Sequence, residues 1–152
     1  GHVYIPDPHG ESAGSYRKLE ELYSGWSIET HARETVRLVS ETPLWELTQG
    51  KESAITCPLI AKAAELGDET AIPLVEDIAH YVGLAITNSI TLLHPEIFVL
   101  GGGVSLMGEV LFAPLRERLT QFAYEPYGGG TVLLPAALGE DVVLVGALLL
   151  AA

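Results

Sequence analysis

Apolar residues recur at helical spacing through most of the chain. Leu19, Leu22 and Tyr23 stand at i, i+3 and i+4, which predicts a helix opening near Arg17 and broken at Gly25. A second helix is expected from Ser27, a plausible N-cap, to about Val39, with Ile28, Ala32 and Val36 on one face. Residues 41–58 are interrupted by Pro43, Gly50 and Pro58 and leave room for one short helix around Trp45. Leu59–Leu66 reads as a helix that stops at Gly67, a residue suited to a left-handed C-cap. The longest stripe, Leu74, Ile78, Val82 and Ala85, belongs to a helix from about Ala71 to Leu93. Asp68 and Thr70 compete to cap it, and if Thr70 does, Pro73 falls in the first turn, where its missing N–H costs nothing. Gly83 allows a close helix crossing, and His94-Pro95 ends the helix.

Elsewhere the period changes. His2–Ile5 predicts a short strand, followed by a loop of turn formers. Ile97-Phe98-Val99-Leu100 is continuously apolar, as expected for a strand buried on both faces. It runs into Gly101-Gly102-Gly103 and a helix from about Met107 to Phe122. After the Gly128-Gly129-Gly130 turn come a second strand, Thr131–Leu134, and a terminal helix, Val142–Leu150. The order helix–strand–helix–strand–helix predicts an α/β layer with helices packed on a mainly parallel sheet. The first strand has no evident partner, which points to a piece of a larger protein.

At 152 residues the chain is expected to form a single domain, and at 48% hydrophobic with a mean hydropathy of +0.30 it is not disordered. Eight Lys and Arg against twenty Asp and Glu give a net charge of −12, which repels phosphate backbones and anionic headgroups. No direct nucleic acid contact and no membrane contact is therefore expected. The longest apolar run, Val142–Ala152, has eleven residues, whereas a membrane crossing takes about 20. With no signal peptide and a single cysteine, Cys57, the chain reads as cytoplasmic.

The first candidate for chemistry is the Gly101-Gly102-Gly103 junction, where bare backbone and a following helix N-terminus could receive a ligand. A tight strand-to-helix turn explains the same glycines equally well. The second is the loop from His2 to Glu20, with His2, His9 and Glu11 as metal-capable residues, although scattered His and Glu seldom converge. His31, His80 and His94 read as surface or helix-end histidines, and Cys57 as a small buried residue.

Four stretches, in order, resemble the ROK family (repressors, open reading frames and sugar kinases). Pro95-Glu96-Ile97-Phe98-Val99-Leu100-Gly101-Gly102-Gly103-Val104-Ser105 is similar to the family's DPE-(apolar)-LGGGVS. Ala63-Ala64-Glu65-Leu66-Gly67-Asp68 resembles the stretch before its long helix. Leu133–Gly139 with Val145-Gly146-Ala147 resembles its PAALG…GA end, and Leu19-Glu20 with Ser24-Gly25 its GCLE…SG.

The resemblance implies an actin-like, RNase-H-like sugar kinase fold, with residues 1–152 as the C-terminal half and the N-terminal phosphate-loop lobe outside this chain. It implies that Gly1-His2 ends the E-x-G-H motif, with His2 facing a hexose-type sugar and Glu20 bonding its hydroxyls. Gly101, Gly102 and Gly103 would line the adenosine side of an ATP site, with Mg²⁺ and the catalytic base contributed by the other lobe. Family members also pair into homo-oligomers through this half. Zinc is not expected, because Glu11, Ala13 and Lys18 stand at the positions of the usual three cysteines. The implied function is an ATP-dependent hexose kinase of the glucokinase kind, inactive as this chain alone. The alternatives are the sugar-sensing, oligomerising domain of a ROK transcriptional repressor, or a non-catalytic relic.

Overall fold

The computed structural model describes residues 1–8, 10, 14–39, 41–123 and 130–151. Strands β1 (Tyr4–Pro6) and β2 (Tyr16–Lys18) form an antiparallel pair with Ile5 opposite Arg17. The first strand therefore finds a partner inside the chain, in residues whose sequence predicts loop and helix start. Helices α1 (Leu19–Tyr23), α2 (Gly25–Leu38), α3 (Pro43–Leu47), α4 (Cys57–Glu65) and α5 (Ala71–Leu93) follow. Strand β3 (Ile97–Leu100) leads through a 3-10 turn, Gly103–Met107, into α6 (Glu109–Phe122). Strand β4 (Val132–Pro135) returns parallel to β3, with Ile97 opposite Val132, and α7 (Val142–Leu150) comes last. Of the glycine turn expected before β4, Gly128 and Gly129 lie outside the described residues.

The core draws side chains from most of the elements, and its most extensive packing is between α5 and α6. Ile78, Val82, Ile86 and Ile90 of α5 and Leu111, Phe112 and Leu115 of α6 are buried, and the two helices pack along their length. Gly83 makes the close crossing possible: a Cβ there would stand 2.9 Å from the Arg118 Cβ, too near for either backbone to keep its place.

The sheet differs from expectation. Phe98 and Leu100 pack against the core and Leu133 is buried, but Ile97, Val99, Val132 and Leu134 are exposed. A continuously apolar strand is thus covered on one face only, because all the packing helices contribute to the same core. Helix α7 likewise buries no side chain, and Val143, Leu144, Leu148 and Leu149 are exposed on it.

Asp68 settles the competition to cap α5. Its Oδ1 accepts from the Thr70 N–H at 2.8 Å, the Thr70 hydroxyl at 2.6 Å and the Ala71 N–H at 3.1 Å. Its Oδ2 accepts from the Leu44 N–H at 2.8 Å, so one carboxylate ties the starts of α3 and α5 together. The Thr70 side chain makes no cap bond. Burial alone would raise the Asp68 pKa, but the Thr70 hydroxyl and the three N–H donors outweigh it and hold the carboxyl below the ordinary aspartate range.

Asp68→Ala strands these donors in a buried site and is expected to lower the unfolding free energy by about 2–4 kcal/mol in chemical denaturation. Because the folded state binds this proton more weakly than the unfolded chain, the stabilisation is complete above the unfolded aspartate value, about pH 4. It is lost as pH falls through the lower folded value, and the variant should lack that part of the acid dependence.

Candidate functional site

The site begins where the first residues of the chain run beside the start of α1. A helix start leaves its first N–H groups without intrahelical partners. Here the Leu19 N–H donates to the Val3 carbonyl at 2.9 Å and the Glu20 N–H to the Gly1 carbonyl at 3.0 Å. Glu20 is thereby pressed against Gly1, where a Cβ would meet Glu20 Oε2 at 2.5 Å. His2 Nε2 lies 2.9 Å from Glu20 Oε1, and with the Glu20 side chain 41% exposed the carboxylate keeps lone pairs for further donors.

From the other side Glu20 is held by the break between α1 and α2. Its carbonyl accepts from the Ser24 N–H and the Ser27 hydroxyl, each at 3.2 Å. Ser24 is the cap of α2: its Oγ accepts from the Ser27 N–H at 3.3 Å, and Gly25, expected to break the preceding helix, is the first residue of α2. Ser27, the cap expected from sequence, sits inside the first turn as the donor. The spacing Ser24-x-x-Ser27 was the available signal, since a serine three residues before a donor N–H is as good a cap.

Gly101, Gly102 and Gly103 form the opposing wall. Gly102 has φ +85 and ψ 178, a backbone region open in practice to glycine alone. Its carbonyl accepts from both the N–H and the hydroxyl of Ser105, at 2.9 and 2.7 Å, which closes the turn. Gly103 touches the start of α2: a Cβ on Gly25 would sit 3.5 Å from the Gly103 Cα and 3.7 Å from Cys57 Sγ. Buried Cys57 in turn directs its thiol at the Gly25 carbonyl, 3.8 Å away. The expected helix N-terminus is not at this turn. A 3-10 segment intervenes and α6 starts only at Glu109, so a ligand here meets bare backbone rather than the positive end of a long helix.

Between the two walls lies a cleft of about 270 Å³ lined by Glu20, Ser24, Val82, Leu100 and the three glycines. Glu20 is the one charged side chain among its lining residues. Tyr23 also borders it, stacked on Tyr81 at 5.2 Å, with its hydroxyl buried and without a hydrogen-bond partner among the described residues. Burial, reinforced by the Asp77 carboxylate, pushes the Tyr23 pKa up and keeps that hydroxyl protonated. Such a cleft can accept hydroxyl donors at Glu20 and take a flat group against the glycines, but its lining residues offer no cationic side chain to a phosphate.

His9, Glu11 and Ala13 lie outside the described residues. Lys18 ends β2 opposite Tyr4. An ammonium and a methyl supply no lone pairs, so Glu11, Ala13 and Lys18 do not fit the three-thiolate zinc site of the resemblance. Among the described residues, no three His, Cys, Asp or Glu gather where they could hold a metal ion. Nor, among those residues, is any helix long and apolar enough to cross a membrane.

The family model described as ROK family matches residues 1–152. The glucokinase of Halalkalibacterium halodurans is 32% identical over 148 residues, covering 96% of this chain and 44% of that enzyme. The xylose repressor of Bacillus subtilis is 23% identical over 107 residues, covering 70% of this chain and 28% of the repressor. A solved structure of a ROK family glucokinase from Streptomyces griseus, in complex with glucose and AMPPNP, superposes with a TM-score of 0.75 at 29% identity. That match covers 97% of this chain and 48% of the glucokinase. The chain spans about half the length of the glucokinases it matches, and its fold is the actin-like α/β fold of sugar kinases.

Among the described residues, none apart from its chain neighbours comes within 4 Å of a Cβ placed on Gly102, so its replacement tests conformation rather than crowding. Gly102→Ala is expected to cost about 1–3 kcal/mol in urea denaturation, the usual strain of a side chain held in that region. An unchanged midpoint would mean that the turn adopts another conformation.

Proposed function

This chain belongs to the ROK family, and we propose that it is the C-terminal half of an ATP-dependent hexose kinase, supplying one wall each to a sugar site and an adenosine site. The observation that carries the reading is the shared cleft, in which Glu20 and Gly101–Gly103 face one space. Likeness to glucokinases over 96% of the chain supports it.

In this reading Glu20 accepts hydrogen bonds from two sugar hydroxyls, and His2, 2.9 Å away, orients its carboxylate. Gly101–Gly103 let ribose or base lie against the backbone. ATP with Mg²⁺, when bound, supplies the transferable phosphoryl group. With no cationic side chain among the residues lining the cleft, γ-phosphate support and the catalytic base are assigned to the remaining lobe, and this chain alone is not expected to phosphorylate sugars. ATP as donor implies a cytoplasmic protein. A second reading, a sugar-sensing domain of a repressor, is favoured by likeness to the xylose repressor and uses the same Glu20 contact without transfer. The residues preceding Gly1 in the parent separate the two: a phosphate loop and an aspartate for a kinase, a basic helix-turn-helix for a repressor.

In the full-length protein, Glu20→Ala is expected to raise the sugar Kd at least about tenfold, since tenfold is about 1.4 kcal/mol and each bond to a charged group is worth more. Isothermal calorimetry checks this, alongside a thermal midpoint that should barely move. Unchanged affinity with a lower midpoint would make Glu20 a helix-start residue and nothing more.

The exposed face of Ile97, Val99, Val132 and Leu134, together with the exposed residues of α7, is apolar surface of the kind that marks an interface. The isolated chain is therefore expected to self-associate through it. Static light scattering should give a mass above that of the monomer, and a monomer at every dilution would contradict this.

A further inference from the structure

Glu29 and Arg33 are absent from every motif considered above, yet they tie α2 to the start of α4. Glu29 Oε1 accepts from the Cys57 N–H at 3.2 Å, satisfying a donor at the first turn of α4. Thr56, at the cap position of that helix, makes no side-chain cap bond, so the carboxylate reaches across from α2 to do it. Arg33 holds this carboxylate in place: its Nη2 lies 3.1 Å from Glu29 Oε2 and 3.0 Å from the Ile55 carbonyl, and its Nε donates to the Glu52 carbonyl at 3.2 Å. Both side chains are about three-quarters buried, at 24% and 26% exposure, so the pair is shielded from the screening that makes surface pairs weak.

What this pair fixes is the place of Cys57 relative to α2. Cys57 sits against Gly25, and Gly25 sits against Gly103, so the three form one contact at the edge of the cleft. Helix α4 also packs on the Gly103–Met107 turn, where Val104 and Met107 are buried. We infer that the Glu29–Arg33 pair positions the glycine turn, acting through the start of α4, and so sets the nucleotide affinity of the cleft without touching the nucleotide. This rests on the reading of Gly101–Gly103 as the adenosine wall.

The test uses the full-length protein, AMPPNP by calorimetry, and photolabelling with 8-azido-ATP. Glu29→Ala is expected to raise the AMPPNP Kd at least about fivefold at a temperature where the variant is fully folded, the scale of one ordinary hydrogen bond. Glu29→Gln keeps an oxygen that can accept from the Cys57 N–H and should recover most of the affinity. A purely structural role would lower the thermal midpoint of both variants and leave the Kd of the folded protein alone, which would overturn the inference. Labelling keeps the two ideas apart. If the wild type is labelled away from residues 97–107, the nucleotide reading fails and the inference falls with it. Label within those residues together with an unchanged Kd in Glu29→Ala would overturn the inference alone.

Discussion

Ser24 separates two helices with a single extended residue, at φ −70 and ψ 156, and its hydroxyl accepts the Ser27 N–H that α2 would otherwise leave open. That bond is one of several that fix the angle between α1 and α2. With it, Ser24 and Ser27 both reach back to the Glu20 carbonyl, while Gly25 is set down on Gly103. The Glu20 carboxylate and the glycine wall are therefore referred to the same helix start. A cleft whose opposing groups share one support holds its width better than one built from independent loops.

The cleft is chemically one-sided. A lone carboxylate suits neutral hydroxyl donors and is poor at holding an anion, which matches a protein carrying −12 overall. The positive groups that phosphoryl transfer demands are not among the residues lining it. This division of labour accords with the proposed assignment of the chain to one lobe of a two-lobed protein. The bare outer face of β3 and β4 accords with it too, since parallel strands are ordinarily covered on both sides.

Carboxylates wholly or largely shielded from solvent do the joining elsewhere. Asp68 links the starts of α3 and α5, and Glu29 links α2 to the start of α4. In each case an acidic side chain satisfies helix-start donors from outside that helix, where the backbone dipoles favour negative charge. Part of the excess of acidic residues is thus structural and does not advertise a binding surface.

Local order was legible in the sequence where one chemical preference acts alone. The stripe from Leu74 to Ala85 marked α5, because burial of a helix face imposes its period on the residues themselves, and the cap residues and His94-Pro95 marked its ends at Ala71 and Leu93. The run Ile97–Leu100 marked a strand, Gly83 a close crossing and Gly101–Gly103 one wall of the candidate site, while Glu20 was singled out through the family resemblance alone. Competition between equally good local partners was left to the tertiary structure. Asp68 prevails over Thr70 because its second oxygen also reaches Leu44, a contact 24 residues distant that no local pattern encodes. Ser24 caps in place of Ser27 because Glu20 and Gly103 draw α2 back by its first turn. The one-sided burial of β3 was equally hidden, since apolar character fixes that a residue can be buried, and only the packing of other elements fixes whether it is.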